Sequence, residues 1–322
     1  MINNYNIIDN SENTDDCNVM DNSENTDNCD IIDNSENTDD CNVMNNSENT
    51  DNCDVIDNSA DIDNCGVINN SVNADNCSVM DNTTIIITGA SRGIGRAIAI
   101  ALASPSTNLV ISCSKSEAEL QETYDAVVKK GAHCTAYVGD MGNYSNVLEM
   151  FDLALSHYGK TDILINNAGI ASIGLFQDMT PDMWNNIMSV NLNSVYNCCH
   201  FAVNDMLRRH SGKIINISSV WGLYGASCEV AYSASKGAIN SFTKALAKEL
   251  APSHIQVNAI ACGAIDTSMN GHLSKEELDE LACEIPAGTL GKPEGVARLV
   301  KLMLESDDYL TGQVIQYDGG WI

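Results

Sequence analysis

From residue 84 onward, the chain alternates short β-branched runs with longer stretches of helical periodicity. This alternation is typical of βαβ units, in which parallel strands are joined by crossover helices. The predicted strands are Thr84–Thr88, Asn108–Ser112, His133–Val138, Asp162–Asn166, Lys213–Ser218, Ile255–Ala261 and Gln313–Tyr317. The predicted helices are Ile94–Ala103, Glu117–Lys130, Asn146–Tyr158, Pro181–Arg209, Tyr232–Leu250 and Pro293–Leu304. The pattern therefore predicts one three-layer α/β domain around a parallel sheet.

Residues 1–79 follow a different pattern, a tandem repeat with a period of 12 residues. Each unit carries one cysteine, at Cys17, Cys29, Cys41, Cys53, Cys65 and Cys77. This leader holds 19 Asp and Glu residues and neither Lys nor Arg. Disorder is the favoured interpretation, because so few apolar groups cannot offset the entropy of ordering the chain. A stacked β-solenoid and cation binding by the Asp-rich turns are the alternatives.

The repeat also suggests a domain boundary. The unit that contains Met80 runs directly into the first predicted strand. We therefore expect residues 1–79 to be an acidic leader and residues 80–322 to be the catalytic domain, with Met80 as an ancestral start.

The net charge argues against two classes of partner. The whole chain carries a formal charge of −28, and residues 80–322, with 25 acidic and 16 basic residues, still carry −9. Lys and Arg supply most of the affinity for phosphate backbones and anionic lipid, so neither nucleic acid nor a membrane is an expected partner. The first residues lack the features of a signal peptide, and no apolar run approaches the roughly 20 residues of a spanning helix. A cytoplasmic location is therefore predicted, and no metal, since the cysteine spacing matches no zinc pattern.

The first predicted strand leads into a helix through a glycine-rich turn, Thr88-Gly-Ala-Ser-Arg-Gly-Ile-Gly95. Glycines let the backbone approach a pyrophosphate, whose charge the free amides and the helix dipole stabilise. A dinucleotide site is therefore predicted, with contacts from Gly89, Ser91, Arg92, Gly93, Ile94 and Gly95.

Cofactor selectivity is expected to depend on the end of the second strand. An acidic residue there would bind the ribose of NAD, but this chain has Ser112-Cys-Ser-Lys115 instead. Lys115 and Arg92 together offer positive charge to a 2′-phosphate, so the sequence predicts NADP(H). Asp140, after the third strand, is placed to meet the adenine amino group, with a structural turn as the alternative.

Tyr232 and Lys236 lie four residues apart on one predicted helix, so their side chains share a face. A phenol with its ordinary pKa of about 10 exchanges protons poorly near neutrality, and an adjacent ammonium lowers that pKa. Ser219 follows the fifth strand, and Asn191 lies in the preceding long helix. These four residues are candidates for acid–base catalysis, and a surface contact between the two helical side chains is the alternative.

Five motifs together resemble the short-chain dehydrogenase/reductase family, and within it the bacterial 3-oxoacyl-carrier-protein reductases. They are the glycine-rich turn, Asn166-Asn-Ala-Gly169, Asn191, Ser219 and Tyr232-Ser-Ala-Ser-Lys236. The resemblance covers residues 83–322. It implies a Rossmann-type doubly wound sheet in the order 3-2-1-4-5-6-7, and usually a homotetramer.

The resemblance also implies a role for each residue. Tyr232 would be the general acid that protonates the developing alkoxide as NADPH reduces a ketone, and Ser219 would orient the carbonyl. Lys236 would hold the nicotinamide ribose and lower the Tyr232 pKa, while Asn191 would position a water in a proton relay. Further cofactor contacts are implied for Met141, Asn167, Ala168, Gly169, Gly263, Ile265 and Thr267.

The segment before Tyr232 departs from the carrier-protein reductases, because it places Trp221, Tyr224 and Glu229 where small neutral residues are common. These three residues are predicted to line the substrate pocket. A carboxylate there favours a cationic substrate over an acyl chain on phosphopantetheine, although a solvated loop carboxylate is the alternative. The segment resembles a Firmicute subgroup assigned to reducing a 5-aminopentanone group on elongation factor P.

A basic cluster of Arg208, Arg209 and His210 favours a substrate on acyl carrier protein instead, because carrier-protein reductases dock acidic partners at the corresponding position. The sequence therefore predicts reduction of a ketone held on acyl carrier protein or, alternatively, on elongation factor P. A third reading is a scaffold that presents the repeat to an interaction partner. The complete set of four catalytic candidates argues against it.

Overall fold

The computed structural model describes residues 82–271 and 273–322, and the predicted leader and Met80 lie outside this part of the chain. The strands are β1 (Thr83–Ile87), β2 (Thr107–Cys113), β3 (His133–Val138), β4 (Ile163–Asn166), β5 (Gly212–Ser219), β6 (Ile255–Cys262) and β7 (Val314–Tyr317). All pairings are parallel. The strand order is β3-β2-β1-β4-β5-β6-β7, which confirms the predicted sheet.

The helices lie between the strands, as expected for crossover connections. They are α1 (Gly93–Leu102), α2 (Glu117–Lys129), α3 (Tyr144–Tyr158), α4 (Pro181–Met188), α5 (Ser194–Arg209), α6 (Trp221–Tyr224), α7 (Val230–Leu250), α8 (Lys275–Glu284) and α9 (Pro293–Glu305). The predicted helix Pro181–Arg209 is broken by a π-helical turn at Ser189–Asn193. The short helix α6 and the helix α8, which buries no residue, were not predicted from the sequence.

The central strands are apolar on both faces, because helices cover each side of the sheet. Ile85 and Ile87 face one core, which contains side chains of α1, α2 and α9. Ile86, between them, faces the second core, which is formed with α3, α5 and α7. Within the described residues, no helix is long and apolar enough to cross a membrane.

The strand order reverses between β1 and β4, so the connections that follow these two strands diverge to opposite sides. Such a switch point leaves a crevice at the carboxyl ends of the strands, where open α/β sheets bind their ligands. The fold therefore directs the search for a site to the loops after β1, β2, β4 and β5.

Candidate active site

A cleft of about 700 Å³ occupies the carboxyl edge of the sheet. Most of the residues predicted to bind a cofactor line it: Gly89, Ser91, Arg92, Gly93, Ile94, Lys115, Asp140, Met141, Asn167, Ala168, Gly169 and Thr267. They come from the segments that follow five strands, β1, β2, β3, β4 and β6, which the topology brings together. The cleft has the position and size of a site for a dinucleotide.

The glycine-rich turn is built so that backbone atoms approach closely. Gly89 has φ of +65°, and an added Cβ would lie 2.8 Å from the Cα of Ala168. At Gly95, an added Cβ would overlap the Gly89 carbonyl oxygen and lie 2.5 Å from Nδ2 of Asn167. Gly95 therefore serves close packing of α1 against the turn and is outside the cleft lining.

The turn is tied to the loop after β4 by hydrogen bonds. The Thr88 hydroxyl accepts from the backbone amides of Asn167 and Ala168, each at 3.0 Å. In return, Asn167 Nδ2 donates to the carbonyls of Thr88 and Gly89, at 3.0 and 2.9 Å. These contacts hold both walls of the cleft in fixed positions.

One polar group in the cleft wall has no partner in the described part of the chain. The Ser112 side chain is fully buried at the end of β2, lines the cleft, and its hydroxyl makes no hydrogen bond. Buried hydroxyls are nearly always paired, so this one is suited to a polar group of a ligand. Together with the glycine turn and the nearby Arg92 and Lys115, it makes the residues fit a nucleotide cofactor.

Tyr232 and Ser219 meet at the carboxyl end of β5, on the same edge of the sheet as the cleft, although neither residue lines it. Ser219 is the last residue of β5, Tyr232 lies in the first turn of α7, and their hydroxyls are hydrogen-bonded. Burial raises the pKa of the Tyr232 phenol above its ordinary value, the Ser219 hydrogen bond lowers it, and the charge of Glu229 raises it. The phenol therefore stays protonated near neutral pH.

Lys236 follows one turn later on α7 and is almost completely buried. Its ammonium donates to the Ile217 carbonyl at 2.8 Å and lies 5.7 Å from the centre of the Tyr232 ring. Burial lowers the pKa of Lys236 to about 8. Burial moves the two pKa values in opposite directions, because each shift disfavours the charged form, and the lowering of the Tyr232 pKa by Lys236 stays a prediction.

Asn191 lies in the π-helical turn that interrupts the α4–α5 helix and is fully buried. Its side chain accepts from the Ile170 amide at 2.8 Å and donates to the Ile170 carbonyl and the Ser235 hydroxyl. It thereby joins the loop after β4 to α7. Such π-turns are frequent at functional sites, since they redirect a side chain out of the regular helical register.

Ser218 directly precedes Ser219 in β5, but its side chain has a different environment. Its hydroxyl donates to Asn240 Oδ1 at 2.6 Å beneath α7. It therefore faces the interior, while Ser219 contacts Tyr232.

Besides Gly95, Tyr232 and Lys236, two more predicted cofactor contacts are outside the cleft lining. Ile265 is buried among core residues and pairs with Gly291 in a β-bridge. Gly263 packs against Asp318, and its amide donates to the Tyr317 carbonyl at 2.9 Å. Both shape the loop that carries Thr267, whose Cγ2 would be 3.3 Å from a Cβ added at Gly93.

Trp221 and Tyr224 were predicted in the substrate pocket, and in the structure they contact the segment after β7 and β7 itself, respectively. The Trp221 ring packs edge-on against Trp321 at 5.0 Å, and the Tyr224 hydroxyl donates to Gln316 at 3.2 Å. Neither residue lines the cleft. Glu229 is close enough to Tyr232 for its charge to affect the phenol.

The open end of the cleft is apolar, which the sequence analysis missed. Ile170, Ile173, Val190 and Met269 line it, and Ile173 is 56% exposed. These residues belong to loops without periodicity, so no sequence pattern indicated their direction.

The basic cluster lies at the other edge of the sheet, where β5 begins. Arg209 forms ion pairs with Asp162 at 2.8 Å and Asp205 at 3.0 Å, and Asp162 also accepts from the Thr84 amide. Arg209 therefore fastens the amino ends of the strands. Arg208 and His210 are exposed beside it, and docking of an acidic carrier at this cluster stays a prediction.

Comparison with known proteins agrees with this geometry. Residues 83–278 match the family model for short chain dehydrogenases. The 3-oxoacyl-[acyl-carrier-protein] reductase FabG of Chlamydia muridarum is 38% identical over 237 residues, which cover 73% of this chain and 95% of the relative. The reductase of the same name from Staphylococcus aureus is 35% identical over 236 residues, with 73% and 96% covered. The uncharacterized oxidoreductase YmfI of Bacillus subtilis is 37% identical over 242 residues, with 74% and 98% covered.

Proposed function

The chain belongs to the short chain dehydrogenase family of oxidoreductases, and from this premise we propose that it reduces a 3-oxoacyl thioester on acyl carrier protein with NADPH. The observation that carries the proposal is the Ser219–Tyr232 hydrogen bond at the carboxyl edge of the sheet, where a cleft that fits a nucleotide also lies. The names of two relatives supply the substrate class. By the same family analogy, we expect a cytoplasmic homotetramer.

The cleft residues have defined tasks in this proposal. The glycine-rich turn and Ser112 would hold the nucleotide, and Arg92 and Lys115 would contact its 2′-phosphate. The bound nucleotide would supply the hydride that the protein itself cannot provide.

The remaining chemistry is proton transfer and orientation. Ser219 would hold the ketone oxygen by a hydrogen bond, and Tyr232 would give its phenolic proton to that oxygen as negative charge develops. Because burial keeps the Tyr232 pKa high, the phenol is in its protonated form at neutral pH, as a proton donor must be.

Lys236 and Asn191 would assist this proton transfer. The Lys236 ammonium lies near the Tyr232 ring and would stabilise the phenolate left after the proton has moved. Asn191 fixes the loop around Ile170 against α7 and, with Lys236, lies beside Gly169 in the cleft wall. Both residues are placed to support a proton relay to solvent.

The apolar open end of the cleft supports an acyl substrate, since an alkyl chain gains from burial against Ile173 and Met269. A second candidate function rests on Glu229, whose charge reaches Tyr232. A carboxylate at this distance would attract an amine, as in a 5-aminopentanone group on elongation factor P. The intact Ser219–Tyr232 arrangement argues against the alternative of a scaffold without catalytic activity.

The test is NADPH oxidation by the full chain with two substrates: an acetoacetyl-carrier-protein thioester and a peptide that bears a 5-aminopentanone-modified lysine. We expect turnover of the thioester, and loss of at least about 100-fold with Tyr232→Phe, as for removal of a general acid. Turnover of the amino-ketone alone, reduced by Glu229→Gln, would replace the first proposal with the second. Binding of NADPH without any turnover would favour the scaffold.

A further inference from the structure

We propose that Glu119 sets the cofactor selectivity by competing with the 2′-phosphate for Arg92. Nη1 of Arg92 donates to both carboxylate oxygens of Glu119, at 3.1 and 3.5 Å. The inference rests on the proposed use of NADPH, and it concerns a residue for which neither the motifs nor the comparisons suggest a role.

The ion pair lies where the phosphate would have to bind. Arg92 and Glu119 line a second cavity of about 660 Å³, together with Lys115, Ser116, Glu117 and Ala118. Arg92, Lys115 and Ser116 also line the main cleft, so the two cavities are continuous along one wall.

The charges of this second cavity are balanced. Its wall carries two cations, Arg92 and Lys115, and two carboxylates, Glu117 and Glu119. The sequence predicted a positive pocket from Arg92 and Lys115 alone. In the structure the guanidinium already has a counter-ion at Nη1, so an incoming phosphate must either share the guanidinium with the carboxylate or displace it, and it remains close to that negative charge.

Glu119 cannot move far, because Arg96 fastens the first turn of α2 to the glycine-rich turn. Nη2 of Arg96 donates to the Glu119 carbonyl at 2.8 Å, and Nε donates to the Ser91 carbonyl at 3.0 Å and to Thr123 Oγ1 at 2.9 Å. The Glu119 backbone is thus held beside Arg92, and its carboxylate stays within reach of the guanidinium. It therefore acts as a resident competitor for the phosphate.

The same helix offers a matched control. Glu122 pairs with Arg96 at 2.9 Å, one turn further along α2, and does not line either cavity. Glu119→Gln and Glu122→Gln each remove one exposed negative charge and one ion pair. Only the first lies against the phosphate position.

The experiment is calorimetric titration of the full chain with 2′,5′-ADP and with 5′-AMP, which differ by the 2′-phosphate alone. We expect Glu119→Gln to bind 2′,5′-ADP about three- to tenfold more tightly, since an exposed ion pair is removed and a dianion loses a nearby like charge. Binding of 5′-AMP should stay within about twofold, and Glu122→Gln should leave both affinities unchanged. Added salt should reduce the gain.

Two results would overturn the inference: an unchanged ratio of the two affinities in Glu119→Gln, or an equal change in Glu122→Gln. The wild-type ratio tests the proposed function separately. If the wild type binds 2′,5′-ADP and 5′-AMP equally well but Glu119→Gln binds 2′,5′-ADP more tightly, the role of Glu119 is supported and the proposed preference for NADPH is not. If the wild type prefers 2′,5′-ADP but Glu119→Gln does not bind it more tightly, only the role of Glu119 is overturned.

Discussion

Lys236 should destabilise the fold in a pH-dependent way that can be measured. Burial lowers its pKa from 10.5 to about 8, and each pKa unit corresponds to 1.36 kcal/mol. The buried ammonium therefore costs about 3 kcal/mol of unfolding free energy wherever both states are protonated. Between pH 8 and 10.5 the unfolded chain binds more protons than the folded one, so stability rises with pH in that window and the cost disappears above it.

The variant Lys236→Met removes this cost, because methionine is neutral and similar in length. It also leaves the Ile217 carbonyl, which accepts from Nζ at 2.8 Å, without that partner, a loss of about 1 kcal/mol. The variant should therefore be about 2 kcal/mol more stable than the wild type at pH 7 and about equal to it at pH 10.

Urea unfolding at pH 7, 8.5 and 10, followed by tryptophan fluorescence, would measure the difference. Lys244→Met changes an exposed lysine of the same helix and should alter stability by no more than about 0.5 kcal/mol at each pH. A difference between Lys236→Met and wild type that stays constant across this range would refute the reasoning. So would a variant that is less stable at pH 7.

Three further outcomes follow from the contacts. Gly95→Ala should destabilise the protein by about 2 kcal/mol or more and abolish nucleotide binding in calorimetry, because the added Cβ would overlap backbone atoms of the glycine-rich turn. Gly174→Ala is the control and should have neither effect, because the space around that residue is open. Arg209→Ala should lower the unfolding free energy by about 1 to 2 kcal/mol, because two partly buried carboxylates each lose one of their partners. The exposed Arg208→Ala should change it by less than about 0.5 kcal/mol. Trp321→Ala removes the ring that positions α6 and should raise KM for the ketone about threefold or more, with unchanged nucleotide affinity and rescue by Trp321→Phe.

The strands and most helices were predictable because their patterns are set locally. A strand such as β1, buried on both faces, reads as an unbroken apolar run, and the glycine-rich turn marks its end. The π-helical turn at Ser189–Asn193 was not predictable, because its tertiary hydrogen bonds join Asn191 to Ile170 and Ser235. Helix α8 begins with a capping box at Ser274 but buries no residue, so it lacks the apolar periodicity on which prediction depends.

The candidate site, like the fold, was predictable only in part. The motifs indicated which residues gather at the carboxyl edge, since the topology fixes where each strand ends. They could not indicate what each side chain would contact. Glu119 neutralises Arg92, and Arg209 turns inward to Asp162, and both outcomes depend on residues far apart in the sequence.

Burial explains how one site can hold both the acid and the cation that the reaction needs. The same low-dielectric surroundings raise the pKa of Tyr232 and lower that of Lys236, because each shift disfavours the charged form. Glu229 adds to the first shift, since a nearby negative charge opposes formation of a phenolate. All these effects keep the Tyr232 proton in place until negative charge develops on the substrate oxygen. A raised pKa also makes the phenol a weaker acid, so proton transfer from Tyr232 would depend on groups that stabilise the phenolate, and the Lys236 ammonium, 5.7 Å from the centre of the ring, is the nearby cation suited to this.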